Sequence, residues 1–279
     1  MTNGFVVPGL DSQDAYDLLS DRFPTEGGIN AQVVVEAPNG SLLSDSPQRN
    51  ALEKLGAALS SIDGVEVVVP QNQGCCGALS WHVGDLNRAR KFARSNVAAF
   101  PQDVDAVVTN AAGCGSGMHE YPQILKGTVD EAAAKEFADN VCDVSVYLTR
   151  LGELEPLPDR GRTLRVAYHD ACHLSNAQGV RSQPRSLLQA IPGVELCEIA
   201  DAHLCCGSAG TYNIDQPEVA NALGSEKAEN IIRTNADLVA SGNIGCMTQL
   251  KTHLAKCNSS MSVSHTMQVL RDAYCENDG

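Results

Sequence analysis

The cysteines carry the clearest chemical signal in this chain. Two adjacent pairs occur, each followed by glycine: Cys75-Cys76-Gly77 and Cys205-Cys206-Gly207. A disulfide between sequence neighbours closes a strained ring, so neither pair is expected to bond within itself. The glycines predict a tight turn in which the backbone takes a positive φ and approaches a bound group closely. We interpret both pairs as ligands rather than as small buried side chains.

The second half of the chain offers four thiols for one metal centre. They are Cys172, Cys205, Cys206 and Cys246, each predicted at the carboxyl end of a strand, which is the usual ligand edge of a parallel sheet. Four sulfur ligands suit either a [4Fe–4S] cluster or Zn²⁺. Structural zinc sites prefer spaced cysteines, so the adjacent pair favours an iron–sulfur cluster, with zinc as the alternative.

The first half offers only three thiols, Cys75, Cys76 and Cys114. The position that corresponds to Cys172 falls near Gly40, where no cysteine is present. A metal centre here needs a water, a ligand from a partner, or a histidine such as His82. We therefore expect the second half to hold metal more firmly than the first.

The cysteine spacing repeats along the chain. From Cys76 to Cys114 is 38 positions, and from Cys206 to Cys246 is 40. A glycine precedes each later cysteine, and an aspartate lies nine residues before it. This recurrence indicates an internal duplication.

Alternating strand and helix patterns predict the elements that position these thiols. The expected fold class is α/β, with two pseudo-equivalent lobes, each a short, mainly parallel sheet flanked by helices. Residues 1–30 are interpreted as a poorly specified leader, 31–152 as the first lobe, 163–279 as the second, and the Pro- and Gly-containing stretch around 153–162 as the linker. The predicted strands are Val33–Val35, Val65–Val69, Val104–Val108, Leu164–Tyr168, Val194–Ile199 and Asp237–Ala240, and the predicted helices are Ala51–Leu59, Asp85–Phe100, Arg185–Ala190 and Pro217–Arg233. Asp85 is the expected N-cap of its helix.

Composition and charge exclude several functional classes. Hydrophobic residues make up 43% of the 279 residues, which is typical of a globular protein rather than a disordered one. The formal net charge of −14 has the opposite sign to that needed for wrapping nucleic acid. The sequence contains no apolar run of membrane-spanning length and no secretory signal pattern. Eleven cysteines without an export signal are expected to be thiols or metal ligands in the cytoplasm.

Polar residues near the cysteines have a structural and a functional interpretation. His169 and His173 flank Cys172 and could orient a ligand or hydrogen-bond a cluster sulfur, or could simply cap the turn after a strand. The same alternatives hold for His82 and His203, which lie near the two Cys-Cys-Gly turns. Arg181 and Arg185 could contact an acidic substrate or partner, with a solvated helix face as the simpler interpretation. The remaining cysteines are expected to be ordinary core or surface thiols: Cys142, Cys197, Cys257 and Cys275.

Four longer segments carry a resemblance to a known family. They are QGCCGALSWHVGD (73–85), NAAGCGSGMHEYPQIL (110–125), YHDACHLSNAQGVRSQPRSLL (168–188) and LCCGSAGTYNIDQPE (204–218). The sequence between about 71 and 270 resembles the duplicated cysteine-rich domain of glycolate oxidase iron–sulfur subunits. It is similar, more distantly, to lactate-utilisation proteins and to the cysteine-rich subunit of heterodisulfide reductases.

The sequence departs from that family in two respects. Family members normally begin with a ferredoxin-like region, whereas this chain has no cysteine before Cys75. This indicates either the C-terminal part of a longer subunit or a variant that works with a separate ferredoxin-type protein. Neither copy has the final Cys-x-x-Cys of heterodisulfide reductases, so their non-cubane cluster chemistry is not carried over.

The resemblance implies an electron-transfer function. The chain would be the iron–sulfur subunit of a glycolate or other 2-hydroxy acid dehydrogenase complex, relaying electrons from an FAD-containing flavoprotein to an acceptor such as quinone. Expected partners are that flavoprotein and a ferredoxin-type protein or domain, with the complex at most peripheral to the inner face of the cytoplasmic membrane. The alternatives are a lactate-utilisation or heterodisulfide-reductase-like redox subunit, and a metal-stabilised assembly module. No catalytic residue is identified from the sequence.

Overall fold

The structure is a computed structural model that describes residues 68, 70, 72–152 and 161–274. Several sequence-based predictions lie outside the described residues. These are the leader, the strand Val33–Val35, the helix Ala51–Leu59, nearly all of the strand Val65–Val69, and the linker at 153–160.

The first lobe contains a two-stranded parallel sheet with helices around it. Asp85 caps its longest helix by accepting a hydrogen bond from the amide of Arg88, as the Asp85 prediction expected. That helix buries a stripe of Ala89, Ala93 and Val97 at helical spacing. The elements in chain order are α1 Ala78–His82, α2 Leu86–Ala99, β1 Val107–Thr109, α3 Ala112–His119, α4 Tyr121–Ile124, α5 Glu131–Asn140, β2 Val141–Asp143 and α6 Val144–Leu151.

The second lobe contains a four-stranded, all-parallel sheet in the order β4-β3-β5-β6. Its central strands are apolar on both faces, as expected where helices cover both sides: Val166, Ala167, Val239 and Ala240 are fully buried. The elements are β3 Leu164–Tyr168, a π-helix His173–Ala177, α7 Ser182–Gln189, β4 Val194–Cys197, α8 Tyr212–Asp215, α9 Pro217–Ile232, β5 Leu238–Ser241, α10 Ile244–Lys256, β6 Ser262–His265 and α11 Thr266–Tyr274.

The α/β fold class with two parallel-sheet lobes is confirmed, with differences in detail. The predicted strand Val104–Val108 lies at Val107–Thr109, and the predicted helix Arg185–Ala190 begins earlier, at Ser182. Two edge strands, β2 and β6, were not predicted at all. They are three and four residues long and contain polar residues, so only pairing with β1 and β5 makes them strands.

The two lobes meet near the carboxyl ends of their strands. The amide of Ala112 donates to the carbonyl oxygen of Gly242 at 3.1 Å. Gln178 donates its amide to the carbonyl oxygens of Ala112 and His173, and Ser116 donates to that of His173. The first residue and the middle of α3 are therefore tied to the second lobe.

His265 makes a further bond across this junction. Its Nε2 lies 2.7 Å from the carbonyl oxygen of Asn110, and its Nδ1 accepts from the amide of Met267 at 3.1 Å. A carbonyl only accepts and an amide only donates, so these two bonds require the neutral imidazole. Burial lowers the pKa of His265 below its ordinary value, opposed by the Asn110 carbonyl and by Asp143.

We expect acid to destabilise the protein through His265. The unfolded chain takes up a proton near pH 6.5 that the folded state excludes, so stability falls as pH drops below about 6.5, by up to about 1.4 kcal/mol at pH 5.5. Denaturant unfolding between pH 7.5 and 5.5 measures this slope. His265→Gln should have a shallower slope than the parent, since the other histidines remain in both. Equal slopes would contradict the assignment.

Candidate metal centre

The second lobe brings its four predicted ligand cysteines to one place. Cys172 follows the end of β3 by four residues, and Cys246 lies in the first turn of α10, directly after β5. Cys205 and Cys206 lie in the loop between β4 and α8. The thiol of Cys205 interacts with those of Cys172 and Cys206, and Cys206 in turn interacts with Cys246. The carboxyl edge of the sheet therefore presents four sulfur donors together.

The two Cys-Cys-Gly segments form the same turn in the two lobes. Gly77 and Gly207 have φ angles of 78° and 90°, in the left-handed region that the sequence predicted. The amide of Gly77 donates to Sγ of Cys75 at 3.4 Å, and that of Gly207 to Sγ of Cys205 at 3.3 Å. Each turn is followed by a short helix, α1 or α8, and then by a long one, α2 or α9.

The later cysteines also occupy equivalent positions. Cys114 is the third residue of α3 and Cys246 the third of α10, and each helix follows a strand of the parallel sheet. Free amides and the dipole at a helix N-terminus stabilise a thiolate there. In the second lobe Asn243, at the N-cap, donates its amide to Sγ of Cys246 at 3.4 Å, whereas Ala111 occupies the same position in the first lobe and has no side chain that can donate. These matches confirm the internal duplication.

Hydrogen bonds among the four second-lobe thiols shift their pKa values in opposite directions. Hydrogen bonds from Cys172 and Cys206 lower the pKa of Cys205, and a hydrogen bond from Cys206 lowers the pKa of Cys246. The pKa values of the two donors shift upward instead. The hydrogen bond to Cys205 and burial raise the pKa of both Cys172 and Cys206. Along the contacts from Cys172 through Cys205 and Cys206 to Cys246, thiols whose pKa is raised alternate with thiols whose pKa is lowered. A bound metal cation would displace the thiol protons and bind all four sulfurs.

A cavity of about 570 Å³ opens onto these sulfurs. Arg181 and Arg185 line its wall, together with all four cysteines. Arg185 forms a bidentate ion pair with Asp170, at 2.8 and 2.6 Å, and stacks on the ring of Tyr168. Arg181 instead donates to the carbonyl oxygen of Ser175 and to the side chain of Asn176. Arg185 is thus half-buried in the cavity wall, whereas Arg181 is exposed and is held at the cavity by these hydrogen bonds.

In the first lobe the three predicted thiols lie together, and polar side chains hydrogen-bond to the backbone around them. A hydrogen bond with Cys114 and burial raise the pKa of Cys76 to about 12. A hydrogen bond with Cys76 and burial raise the pKa of Cys75 in the same direction. Asn96 of α2 accepts from the amide of Gly74 and donates to the carbonyl oxygen of Cys75. The hydroxyl of Tyr121 donates to the carbonyl oxygen of Cys76 at 2.9 Å. No fourth cysteine joins this group among the described residues, and the sequence contains none before Cys75.

The four singled-out histidines have different environments. His169 is 2% exposed, and a ring nitrogen lies with the sulfurs of Cys206 and Cys246, all three atoms within 4.8 Å of one another. His173 stacks on His82 across the lobe junction, with ring centroids 5.5 Å apart, and its Nδ1 is 3.6 Å from Sγ of Cys172. His82 also approaches Glu120 at 3.9 Å. His203 lies at the rim of the cavity.

The extra cysteines take no part in either group where the structure describes them. Cys142 is buried in β2, Cys197 lies in β4 beside Arg165, and Cys257 is exposed after α10. Cys275 lies outside the described residues.

Sequence reasoning missed Lys227, which supports the second turn. This lysine of α9 is fully buried, and Nζ donates to the carbonyl oxygens of Asp201 and Ala202 at 2.7 and 3.4 Å. Lys227 and Asn96 each lie eleven residues after the N-cap of their helix. In each lobe, this helical position hydrogen-bonds the loop segment that leads into the Cys-Cys-Gly turn. A polar residue on a mostly buried helix face was the available signal.

We expect Lys227→Met to destabilise the protein by about 1–3 kcal/mol, because two backbone carbonyl oxygens lose their buried donor while the volume is conserved. Lys256→Met is the matched control, since Lys256 is exposed and bonds only the side chain of Asn221. Thermal unfolding of the three proteins measures the difference. A Tm equal to that of the control would show that Lys227 adds no net stability.

Across the described part of the chain, every helix is too short or too polar to serve as a membrane span.

Comparison with known proteins agrees with this geometry. The cysteine-rich domain family called CCG matches the chain twice, at residues 43–119 and 166–251, which together make up more than half of its length. Each match contains one Cys-Cys-Gly turn and its later cysteine.

Three curated proteins illustrate the relationship. The chain is 38% identical over 207 residues to the probable glycolate oxidase iron-sulfur subunit of Bacillus subtilis (strain 168), an alignment covering 74% of this chain and 46% of that protein. It is 32% identical over 241 residues to the glycolate oxidase iron-sulfur subunit of Escherichia coli (strain K12), covering 82% and 54%. It is 30% identical over 210 residues to lactate utilization protein A of Oceanobacillus iheyensis, covering 74% and 84%.

The chain spans about half the length of the two glycolate oxidase subunits and most of the lactate utilization protein. The duplicated turn, the paired thiol groups and the two domain matches lead to one assignment. This chain belongs to the CCG cysteine-rich domain family and contains two copies of the domain.

Proposed function

We propose that this protein is an iron–sulfur redox subunit whose second lobe holds a [4Fe–4S] cluster. The carrying observation is the convergence of Cys172, Cys205, Cys206 and Cys246 at one sheet edge beside a cavity. The residues fit such a group, because four sulfur donors are present and two already favour the thiolate form. When bound, the cluster would supply reversible one-electron transfer.

The chain's own residues would hold and tune that group. Asn243 and the amide of Gly207 donate to ligand sulfurs, and such hydrogen bonds raise the reduction potential of a cluster by stabilising its more negative state. Arg181 places a positive charge at the cavity beside the thiolates. The cavity gives a small molecule or a partner side chain access to the half-buried sulfurs of Cys172 and Cys205.

We further propose that the subunit works in a glycolate or other 2-hydroxy acid dehydrogenase complex. In that role a flavoprotein oxidises the substrate, and this chain passes the electrons on, with help from a ferredoxin-type protein or domain, to an acceptor such as quinone. The names of two relatives as glycolate oxidase iron-sulfur subunits support the proposal. The name of the third supports the alternative of lactate utilisation, which uses the same electron-transfer chemistry.

Spectroscopy of anaerobically purified protein tests the proposed cofactor. Iron, sulfide and zinc are counted per chain, and visible and EPR spectra are recorded before and after reduction. We expect equal iron and sulfide and an EPR signal after reduction. Zinc without sulfide would instead support a metal-stabilised assembly module. Purification of a tagged chain from its own host tests the complex, where a co-purifying flavoprotein is the expected result.

A further inference from the structure

We propose that His169 is a direct metal ligand of the second-lobe centre, bound through a ring nitrogen beside Cys206 and Cys246. This inference rests on the proposed metal-binding function and adds a nitrogen donor to the four sulfurs. The second lobe then offers five donors, whereas the sequence pattern alone indicated four.

The first observation is an unsatisfied buried atom. His169 is 2% exposed, and its Nδ1 is buried without a hydrogen-bond partner among the described residues. Burying a polar nitrogen without a partner costs about 1–3 kcal/mol, so such atoms usually have a bound water, ion or functional contact. A bound metal ion is a partner that would satisfy this nitrogen.

The second observation is the spacing of the donors. A ring nitrogen of His169 and the sulfurs of Cys206 and Cys246 all lie within 4.8 Å of one another. Donors about 2.0–2.3 Å from one tetrahedral ion are about 3.5 Å apart, so a small shift brings the ring nitrogen onto the same iron as one of the two sulfurs. His169 is therefore placed to bind an iron of the proposed cluster at the buried side of the centre.

The backbone explains why His169 points into the centre and its neighbour does not. His169 directly follows β3, and its amide donates to the carbonyl oxygen of Ala240 on β5 at 2.8 Å, which extends the sheet by one residue. His173 lies four residues later, in the π-helix, and stacks on His82 of the other lobe. Position at the strand end thus separates a ligand from a residue of the lobe junction.

A nitrogen ligand has a defined redox consequence. Imidazole is neutral whereas thiolate is anionic, so replacing sulfur by nitrogen at an iron stabilises the reduced state and raises its reduction potential. We expect His169→Cys to keep the metal and lower the potential. We expect His169→Ala to bind metal less tightly, with iron lost on dilution.

Pulsed EPR of the reduced protein tests the inference without relying on activity. The iron count comes first, and protein without iron would overturn the proposed function itself. In iron-loaded protein we expect a hyperfine coupling from directly bound imidazole nitrogen that changes on ¹⁵N-histidine labelling. It should vanish in His169→Cys and persist in His203→Gln, the control at the cavity rim. An iron centre with no such coupling in the parent, or with a coupling that survives His169→Cys, would overturn this inference alone.

Discussion

Cys172→Ser or Cys206→Ser is expected to remove most of the bound iron, while Cys76→Ser leaves most of it in place. The reason is the asymmetry between the lobes. The second lobe supplies four sulfurs and the buried His169, whereas the first supplies three sulfurs. A serine hydroxyl is a much poorer ligand for iron than a thiolate, so a site with little excess of donors loses its metal.

Metal binding is coupled to folding, so the second-lobe variants should also unfold at lower temperature. Iron per chain and Tm are measured on the three variants and the parent after anaerobic purification. Cys257→Ser is the matched control, because this thiol is exposed and outside both groups. Equal iron loss from both lobes would contradict the asymmetry, and unchanged iron in Cys172→Ser would contradict the cluster assignment.

Gly207→Ala is expected to destabilise the protein by about 2–5 kcal/mol. Two costs add: an L side chain at φ 90° costs about 1–2 kcal/mol, and the new Cβ would clash with the carbonyl oxygen of Ala220 in α9, costing about 1–3 kcal/mol more. The turn and α9 must then move apart, which shifts the adjacent Cys205 and Cys206. Iron content should fall together with stability.

Gly84→Ala separates the two costs. Gly84 has a similar φ of 81°, but among the described residues, its chain neighbours aside, no atom lies within 4 Å of a Cβ placed there. This variant should lose only about 1–2 kcal/mol and keep its iron. Denaturant unfolding and iron analysis measure both. A loss in Gly207→Ala no larger than that in Gly84→Ala would show that the close approach of α9 contributes nothing.

Local chemistry made much of this protein predictable from its sequence. The strand Leu164–Tyr168 was predicted with its observed bounds, because a short, mostly apolar run between polar segments has few alternatives. Asp85 was identified as a helix cap from its position alone. The turns at Gly77 and Gly207 followed from the need for positive φ, and the duplication followed from cysteine spacing.

Other features depend on contacts between distant residues. The strands Val141–Asp143 and Ser262–His265 exist through pairing with β1 and β5, so their own residues carry little signal. The sequence could not separate His169 from His173, because both flank Cys172. The sheet places one beside two thiols and the π-helix places the other against His82.

The sequence by itself therefore determined the class of fold, the repeat and the set of candidate sulfur ligands, since each depends on local residue type and spacing. The tertiary structure decided which polar groups support those thiols. Asn96, Tyr121 and Lys227 reach backbone oxygens more than twenty residues away along the chain. Such bonds arise only when helices pack against the turns, and a buried polar group is stable there only because that packing supplies its partner.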